Sequence, residues 1–244
     1  MAHYKNLERL VIFDADGTTI DAFHAIELAF LRHGMDIGDL ERFQTRRKLF
    51  KYLGGLREFP KNLRRQFGKQ SRKRLLATLT DVYRHEARLY PGIESLLRTL
   101  LAAPNIRVGL VTRNVTIEPE KTLKYLFQRH GIDTGEFDYF SCIPLREDKT
   151  VIMKHARQSF AMNPARAYAC GDEHSDYLAA ISAGMHPFVV AYGFEDSVRL
   201  TKKFGVPREV ISTSPAEFVY RLLHALNLST EERYPKLLTM QESR

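Results

Sequence analysis

The fold is decided by residues 10–18, which read LVIFDADGT. The four consecutive apolar residues at 10–13 are typical of a strand that is buried on both faces of a parallel sheet. The polar run at 14–18 marks the end of that strand. It places two carboxylates, Asp14 and Asp16, at the sheet edge where parallel α/β proteins bind their ligands.

Further strand-like runs follow along the chain at residues 107–112, 165–170, 187–191 and 209–211. Helical patterns lie between and after these runs, at residues 92–101, 116–130, 148–160, 175–183 and 215–228. Strands that alternate with helices of about 10 to 15 residues predict an α/β fold with an open, Rossmann-like parallel sheet.

One stretch interrupts the alternation, because residues 22–88 contain helical patterns and no strand-like run. The predicted helices of this stretch cover 22–33, 39–52 and 71–90. We therefore predict an α/β core with an inserted α-helical domain and a polar tail. The predicted bounds are 1–21 and 89–228 for the core, 22–88 for the insertion and 229–244 for the tail.

The net charge of +8 is concentrated in the insertion. Residues 20–90 contain 16 Lys and Arg against 8 Asp and Glu, whereas the rest of the chain is balanced at 21 of each. Within residues 41–74 there are 13 basic and two acidic residues. This segment is a solvated helix face, a surface that attracts a polyanionic substrate, or a nucleic-acid contact with Tyr52, Phe59 and Phe67 available for stacking.

Composition excludes several classes of protein. A chain of 244 residues with 44% apolar and 27% charged residues is typical of a globular protein. No run of about 18 apolar residues could span a membrane, and the N-terminus lacks the apolar stretch of an export signal. Cys142 and Cys170 are too few for a disulfide framework, and the nine histidines form no zinc-binding pattern. We expect a cytoplasmic protein with reduced thiols and no membrane partner.

A second acidic segment, GDEHSD at 171–176, follows another predicted core strand. Hydrolysis of a phosphate ester needs a nucleophile and a proton donor, which Asp14 and Asp16 could supply. Asp172 and Asp176 would face them and repel them unless a divalent cation were bound, which predicts a metal site. The alternative is that these acids belong to a solvated turn and to a helix N-terminus that they stabilise.

Taken in order, these segments resemble the haloacid dehalogenase-like phosphohydrolase superfamily over about residues 10–191. The family's first motif, hhhDxDGT, corresponds to VIFDADGT at 11–18, and its second corresponds to VGLVT at 108–112. Its third motif, a lysine, corresponds to Lys149, and its fourth, GDxxxD, corresponds to 171–176. The helical insertion resembles the cap of the phosphoglycolate phosphatase-like and β-phosphoglucomutase-like branch.

The resemblance implies a Mg²⁺-dependent phosphatase that hydrolyses a small phosphorylated metabolite through an aspartyl-phosphate intermediate. Asp14 would be the nucleophile, and Asp16 would protonate the leaving alcohol and later activate water. Thr112 would hold a phosphoryl oxygen, and Lys149 would balance the charge of the nucleophile and the phosphate.

The metal residues implied by the resemblance are Asp14, Asp16 through its main-chain carbonyl, Asp172 and, in support, Asp176. Further residues are expected to contact the substrate beside Thr112 and Lys149. They are Arg113 and Asn114 after the second strand and Arg57 in the insertion. The protein is expected to be a monomer or a homodimer.

Three positions depart from the family pattern, and one of them is the Arg113-Asn114 pair after Thr112, where Asn at the first position is more usual. Thr150 follows Lys149 where proline is common, so Lys154 is an alternative for the lysine. Thr19 stands where leucine is common. Phosphonatase, phosphomutase or dehalogenase chemistry remains an alternative, although dehalogenases typically lack the acid found here as Asp16. A nucleic-acid-directed phosphatase or binding module using the basic segment is a further alternative.

Overall fold

The computed structural model describes residues 8–35 and 69–228. Within these ranges, no helix is both long enough and apolar enough to cross a membrane. Several sequence predictions lie outside the described residues: the helix at 39–52, Arg57, most of the basic segment 41–74 and the tail 229–244.

Six parallel strands form a single sheet. They are β1 (Arg9–Phe13), β2 (Ile106–Thr112), β3 (Tyr139–Cys142), β4 (Ala167–Gly171), β5 (His186–Val190) and β6 (Ile211–Ser212). The order across the sheet is β3-β2-β1-β4-β5-β6, so the chain reverses its direction of travel between β1 and β4. The predicted α/β fold with a Rossmann-like sheet is confirmed, and its ligand-binding crevice belongs at this reversal point.

Helices cover both faces of the sheet, which explains the continuous apolar run of β1. Val11 and Phe13 belong to one apolar cluster, whereas Leu10 and Ile12 belong to another on the opposite face. The helices are α1 (Ala22–Leu31), α2 (Lys69–His85), α3 (Ile93–Leu101), α4 (Pro119–Arg129), α5 (Lys149–Ser159), α6 (His174–Ser182) and α7 (Pro215–Ala225). Helices α5 and α6 pack against Leu10 and Ile12, and the others contribute to the first cluster.

Two strands differ from the sequence prediction. β3 reads YFSC and was not predicted, because it lies at the sheet edge, is only partly buried and has no continuous aliphatic run. The strand predicted at 209–211 is in fact a short 3₁₀ turn, Arg208–Val210, followed by the two-residue β6 at the other edge.

The described parts of the predicted insertion pack against one another and against the core. Arg32, just after α1, forms an ion pair at 3.3 Å with Asp81 on α2 and another at 2.5 Å with Glu86, which directly follows α2. Phe30 of α1 and Leu79 of α2 belong to the same apolar cluster as the strands. The division into core and inserted domain at 22–88 remains a prediction.

Candidate active site

Three polar side chains predicted from the sequence lie at neighbouring strand ends. Asp14 follows β1, Thr112 ends β2 and Asp172 follows β4. The parallel register aligns these ends, because Phe13 pairs with both Leu110 and Cys170. The adjacent strands therefore deliver groups that are far apart in the sequence to one edge of the sheet.

Lys149 lies between two carboxylates. Its Nζ is 2.8 Å from Oδ2 of Asp14 and 2.7 Å from Oδ1 of Asp176. All three side chains are nearly inaccessible to solvent, so the charges attract one another in an environment of low polarity. Asp14 also accepts a hydrogen bond from the backbone N–H of Ala15 at 2.8 Å through its other oxygen. The nucleophile candidate is thus held at both oxygens.

The start of α5 positions Lys149. Asp148 caps this helix, and its side chain accepts a hydrogen bond from the N–H of Thr150 at 2.9 Å. A proline at position 150 would have no N–H to donate to this cap. The threonine that stands in place of the family's usual proline therefore has a role in capping α5 and leaves Lys149 at the start of the helix. Lys154, the alternative lysine, is exposed on the same helix.

Three buried carboxylates form a group that could hold a metal ion. Asp14, Asp172 and Asp176 each offer an oxygen, and these oxygens lie within 4.8 Å of one another. Oδ2 of Asp172 accepts from the N–H of Phe194 at 2.6 Å, but Oδ1 is buried and has no hydrogen-bond partner among the described residues. An unpartnered buried carboxylate oxygen is costly, and a hard cation that prefers oxygen ligands would satisfy it.

Two glycines allow the chain to approach this group closely. Gly17 has φ +81°, and a Cβ there would collide with Oδ2 of Asp172. A Cβ at Gly193 would lie 2.5 Å from the same oxygen and would also collide with the carbonyl of Gly17. The loop after β1 and the loop after β5 therefore both pack against Asp172.

The environment of the acids alters their protonation. Burial raises the pKa of Asp14 to about 6. Repulsion from Asp176 also raises it, whereas attraction to Lys149 lowers it in part. Burial also raises the pKa of Asp172 well above its usual range, and repulsion from Glu173, Asp14 and Asp176 adds to this. Although burial disfavours its charged form, the pKa of Lys149 is raised because Asp14 and Asp176 stabilise the ammonium. Lys149 is therefore a permanent cation of the site.

Asp16 has a different environment from Asp14, because its side chain is held by neutral donors. The hydroxyl of Tyr83 donates to its Oδ1 at 2.9 Å, and Nδ2 of Asn114 donates to its Oδ2 at 2.9 Å. Burial and repulsion from Asp14 raise the pKa of Asp16 to about 7, and the two donors lower it in part. The Asp16 carboxylate lies outside the metal-binding group found in the described chain, so only its main-chain carbonyl remains a predicted ligand.

The other predicted substrate residues lie around this group. Oγ1 of Thr112 is buried and has no hydrogen-bond partner in the described part of the chain, so it is available to a ligand. Asn114 points at Asp16, as described above. Arg113 donates to Oγ of Ser175 at 3.0 Å and lies 3.8 Å from Glu173, which links the loops after β2 and β4. Substrate binding by these three residues remains a prediction.

Sequence reasoning missed several residues that contact the site. Tyr83 lies on α2, 67 positions from Asp16, and no local pattern connects the two. Glu195 is buried and accepts from the N–H of His174 at 2.6 Å, which supports the loop containing Asp172. Glu195 and the N–H of Phe194 follow β5, so extending the strand-end rule to that strand would have found them.

Clustered acids, a buried lysine and a threonine hydroxyl without a partner among the described residues meet at the reversal point of a parallel sheet, and the carboxylates of this α/β site outnumber its lysine. A model of the haloacid dehalogenase-like hydrolase family matches residues 8–184, and the chain belongs to this family. The predictions of this family and of a hydrolase are thereby confirmed. A search of curated protein sequences found no significant match.

Solved structures share the fold at low sequence identity. A haloacid dehalogenase-like family hydrolase from Streptococcus pneumoniae is 19% identical with a TM-score of 0.59, covering 88% of this chain and 98% of that one. A predicted phosphoglycolate phosphatase from Haemophilus somnus is 18% identical with a TM-score of 0.60, covering 89% and 98%. CbbY from Rhodobacter sphaeroides, solved in complex with phosphate, is 20% identical with a TM-score of 0.55, covering 78% and 89%.

Proposed function

We propose that the protein is a Mg²⁺-dependent phosphatase that hydrolyses a small phosphorylated metabolite through an aspartyl-phosphate on Asp14. The observation that supports this best is the contrast between two acids only two residues apart. Asp14 is paired with the buried cation of Lys149, which opposes the effect of burial on its pKa and favours the ionised, nucleophilic carboxylate. Among the described residues Asp16 has only neutral donors, and its pKa is raised to about 7, which suits an acid that gives up a proton.

In the first step the Asp14 carboxylate forms a bond to phosphorus while the bond from phosphorus to the leaving oxygen breaks. The carboxyl of Asp16 gives its proton to that oxygen, so the product leaves as a neutral alcohol. Oγ1 of Thr112 donates to a phosphoryl oxygen, and the ammonium of Lys149 offsets the charge that Asp14 shares with the phosphoryl group.

In the second step a water attacks phosphorus, and the Asp16 carboxylate takes the proton of that water. The bond between phosphorus and Asp14 breaks, which restores the Asp14 carboxylate and releases inorganic phosphate. Bound Mg²⁺, held by Asp14, Asp172, Asp176 and the main-chain carbonyl of Asp16, would supply charge neutralisation for the phosphoryl group.

The charges of the site fit a divalent cation. When ionised, Asp14, Asp172 and Asp176 hold three negative charges, and Lys149 offsets one of them. Two positive charges are then needed to balance the buried group, and the unpartnered Oδ1 of Asp172 gives the cation a ready ligand.

The test is hydrolysis of p-nitrophenyl phosphate and of a panel of phosphorylated metabolites by the full chain with MgCl₂. We expect Asp14→Asn to lower kcat at least about 10³-fold, because the amide is no nucleophile. Asp133→Asn, at an exposed turn, should retain the wild-type rate. After rapid acid quenching, mass spectrometry should find one phosphoryl group on the peptide that contains Asp14. Hydrolysis that survives Asp14→Asn would contradict the proposal.

A phosphomutase is the main alternative, because it would use the same Asp14 and Asp16 and differ only in what accepts the phosphoryl group. Product analysis separates the two: a phosphatase releases inorganic phosphate stoichiometrically, whereas a mutase returns an isomeric phosphate ester. The presence of Asp16 supports phosphoryl chemistry over halide release. The phosphonatase and nucleic-acid alternatives depend on insertion residues that lie outside the described residues.

A further inference from the structure

Two side chains from separate elements converge on the carboxylate of Asp16. Tyr83 of α2 donates its hydroxyl to Oδ1 at 2.9 Å. Asn114, which follows β2, donates through Nδ2 to Oδ2 at 2.9 Å and to Oδ1 at 3.2 Å. Among the described residues, Oδ1 therefore accepts from two side chains and Oδ2 from Asn114 alone.

The orientation of the Asn114 amide is fixed by its neighbours. Its Oδ1 accepts from the backbone N–H of Thr116 at 2.9 Å and also from the Thr116 hydroxyl. Because the backbone N–H of Thr116 can only donate, it must face the amide oxygen, and the amide nitrogen must then face Asp16. Asn114 is nearly buried, so no exchange with solvent competes with this arrangement.

The position of Tyr83 is equally constrained. Its ring is 1% exposed and lies in the apolar cluster that packs against β1. One turn earlier on α2, the hydroxyl of Thr80 accepts from the N–H of Ile117 at 2.9 Å. This hydrogen bond joins α2 directly to the loop that contains Asn114. The two residues that donate to Asp16, Tyr83 and Asn114, therefore lie on elements that are hydrogen-bonded to each other.

We propose that Tyr83 and Asn114 are positioning residues that hold the Asp16 carboxyl in the orientation needed for proton transfer to the leaving group. A carboxyl at the end of a flexible side chain has two rotatable bonds, and two fixed donors remove that freedom. Oδ1 accepts from both residues, so Oδ2 is the oxygen with fewer donors among the described residues. This inference rests on the proposed phosphatase activity and assigns a role to a helix of the predicted insertion.

The test compares two leaving groups in the variant Tyr83→Phe, which keeps the buried ring and removes only the hydroxyl. The substrates are p-nitrophenyl phosphate, whose leaving group needs little protonation, and glycerol phosphate, whose alcohol departs only with a proton. The parameter is kcat/KM, which covers steps up to departure of the alcohol. We expect a loss of about 10-fold or more on glycerol phosphate and less than about 3-fold on p-nitrophenyl phosphate.

Two further variants guard against a merely structural effect. Asn114→Ala should show the same dependence on the leaving group, because it removes the second donor. In an Asp16→Asn background, Tyr83→Phe should cause no additional loss on glycerol phosphate, since the group it positions is gone. Tyr139→Phe is the matched control: in the part of the chain that the structure describes, its hydroxyl bonds only to the exposed His155 at 3.3 Å, and both substrates should react at wild-type rates.

The outcomes distinguish this inference from the proposed function. If the wild-type protein hydrolyses both esters but Tyr83→Phe and Asn114→Ala lower both rates equally, or neither, then the positioning role is wrong and the phosphatase proposal stands. If the wild-type protein with Mg²⁺ hydrolyses neither ester, the proposed function is wrong, and the positioning role that depends on it is also overturned.

Discussion

At the scale of single residues, Lys149 has the largest electrostatic role among the described side chains of the site. It is 3% exposed and lies within 2.8 Å of two carboxylates, so removal of its charge leaves Asp14 and Asp176 buried without a cation. A buried ion pair contributes little to the free energy of unfolding when it is compared with apolar residues that replace both of its partners. Removing one partner alone is costly, because the other charge remains desolvated.

We therefore expect Lys149→Met to lower the free energy of unfolding by about 3 to 5 kcal/mol and to abolish activity. Chemical denaturation monitored by circular dichroism measures the first effect. Lys154→Met is the matched control, because this lysine lies on the same helix but is exposed, and its replacement should change stability by less than about 0.5 kcal/mol. Equal effects of the two variants would show that the family lysine had been assigned incorrectly.

The residues of the site differ in how far sequence reasoning could find them. Asp14 and Asp172 directly follow buried strands, so the strand-end rule alone brought them to one edge of the sheet. Lys149 required the resemblance, because a lysine at the start of an amphipathic helix has no distinctive local pattern. Tyr83 was not found by either route, because its contact with Asp16 depends on how α2 packs rather than on any spacing along the chain.

At the scale of elements, burial decided which strands the sequence could predict. β1 and β2 are buried in the middle of the sheet, and their continuous apolar runs were recognised. The partly buried edge strand β3 has no such run, because only one neighbouring strand pairs with it. The helix bounds agreed within a few residues where a capping side chain such as Asp148 or Ser214 marks the start.

The hydrogen bond between α2 and the loop before α4 allows a prediction about how these two elements are held together. Thr80 accepts from the N–H of Ile117 at 2.9 Å and donates to the carbonyl of Leu76 at 2.7 Å. Thr80→Val preserves the shape but leaves the N–H of Ile117 unpaired, so we expect a loss of about 1 to 3 kcal/mol in the free energy of unfolding. Thr99→Val, at an exposed position of α3, loses only a solvated intrahelical bond and should be neutral within about 0.5 kcal/mol. A neutral Thr80→Val would mean that this bond does not hold α2 in place.

At the scale of the whole molecule, charge is divided unevenly between a balanced core and a basic insertion. When they are ionised, the three acids of the site outnumber its one lysine, so the site then has the opposite sign from the insertion. A divalent ion bound by these acids would balance that charge.

This excess of buried negative charge gives the stability of the protein a distinctive pH dependence. The raised pKa values of Asp14, about 6, and Asp172 mean that the folded protein binds these protons more tightly than the unfolded chain does. The contribution of such groups to stability is therefore present at low pH and is lost as pH rises from about 4 through the raised pKa values. Mg²⁺ binds the ionised carboxylates, so its stabilising effect should increase over the same range.

We expect, for the wild-type protein in EDTA, a lower free energy of unfolding at about pH 8 than at about pH 5, and a larger increase on addition of MgCl₂ at the higher pH. Asp172→Asn removes one ionisable group while keeping its shape, so it should reduce both the pH-dependent loss and the response to Mg²⁺. Asp133→Asn, at an exposed turn, should retain both. Denaturant titrations at the two pH values, with and without the metal, measure all four quantities. If Mg²⁺ stabilises Asp172→Asn as much as it stabilises the wild type, the buried acids are not the metal site. The carboxylate whose Oδ1 has no partner among the described residues would then be unnecessary for the response to Mg²⁺.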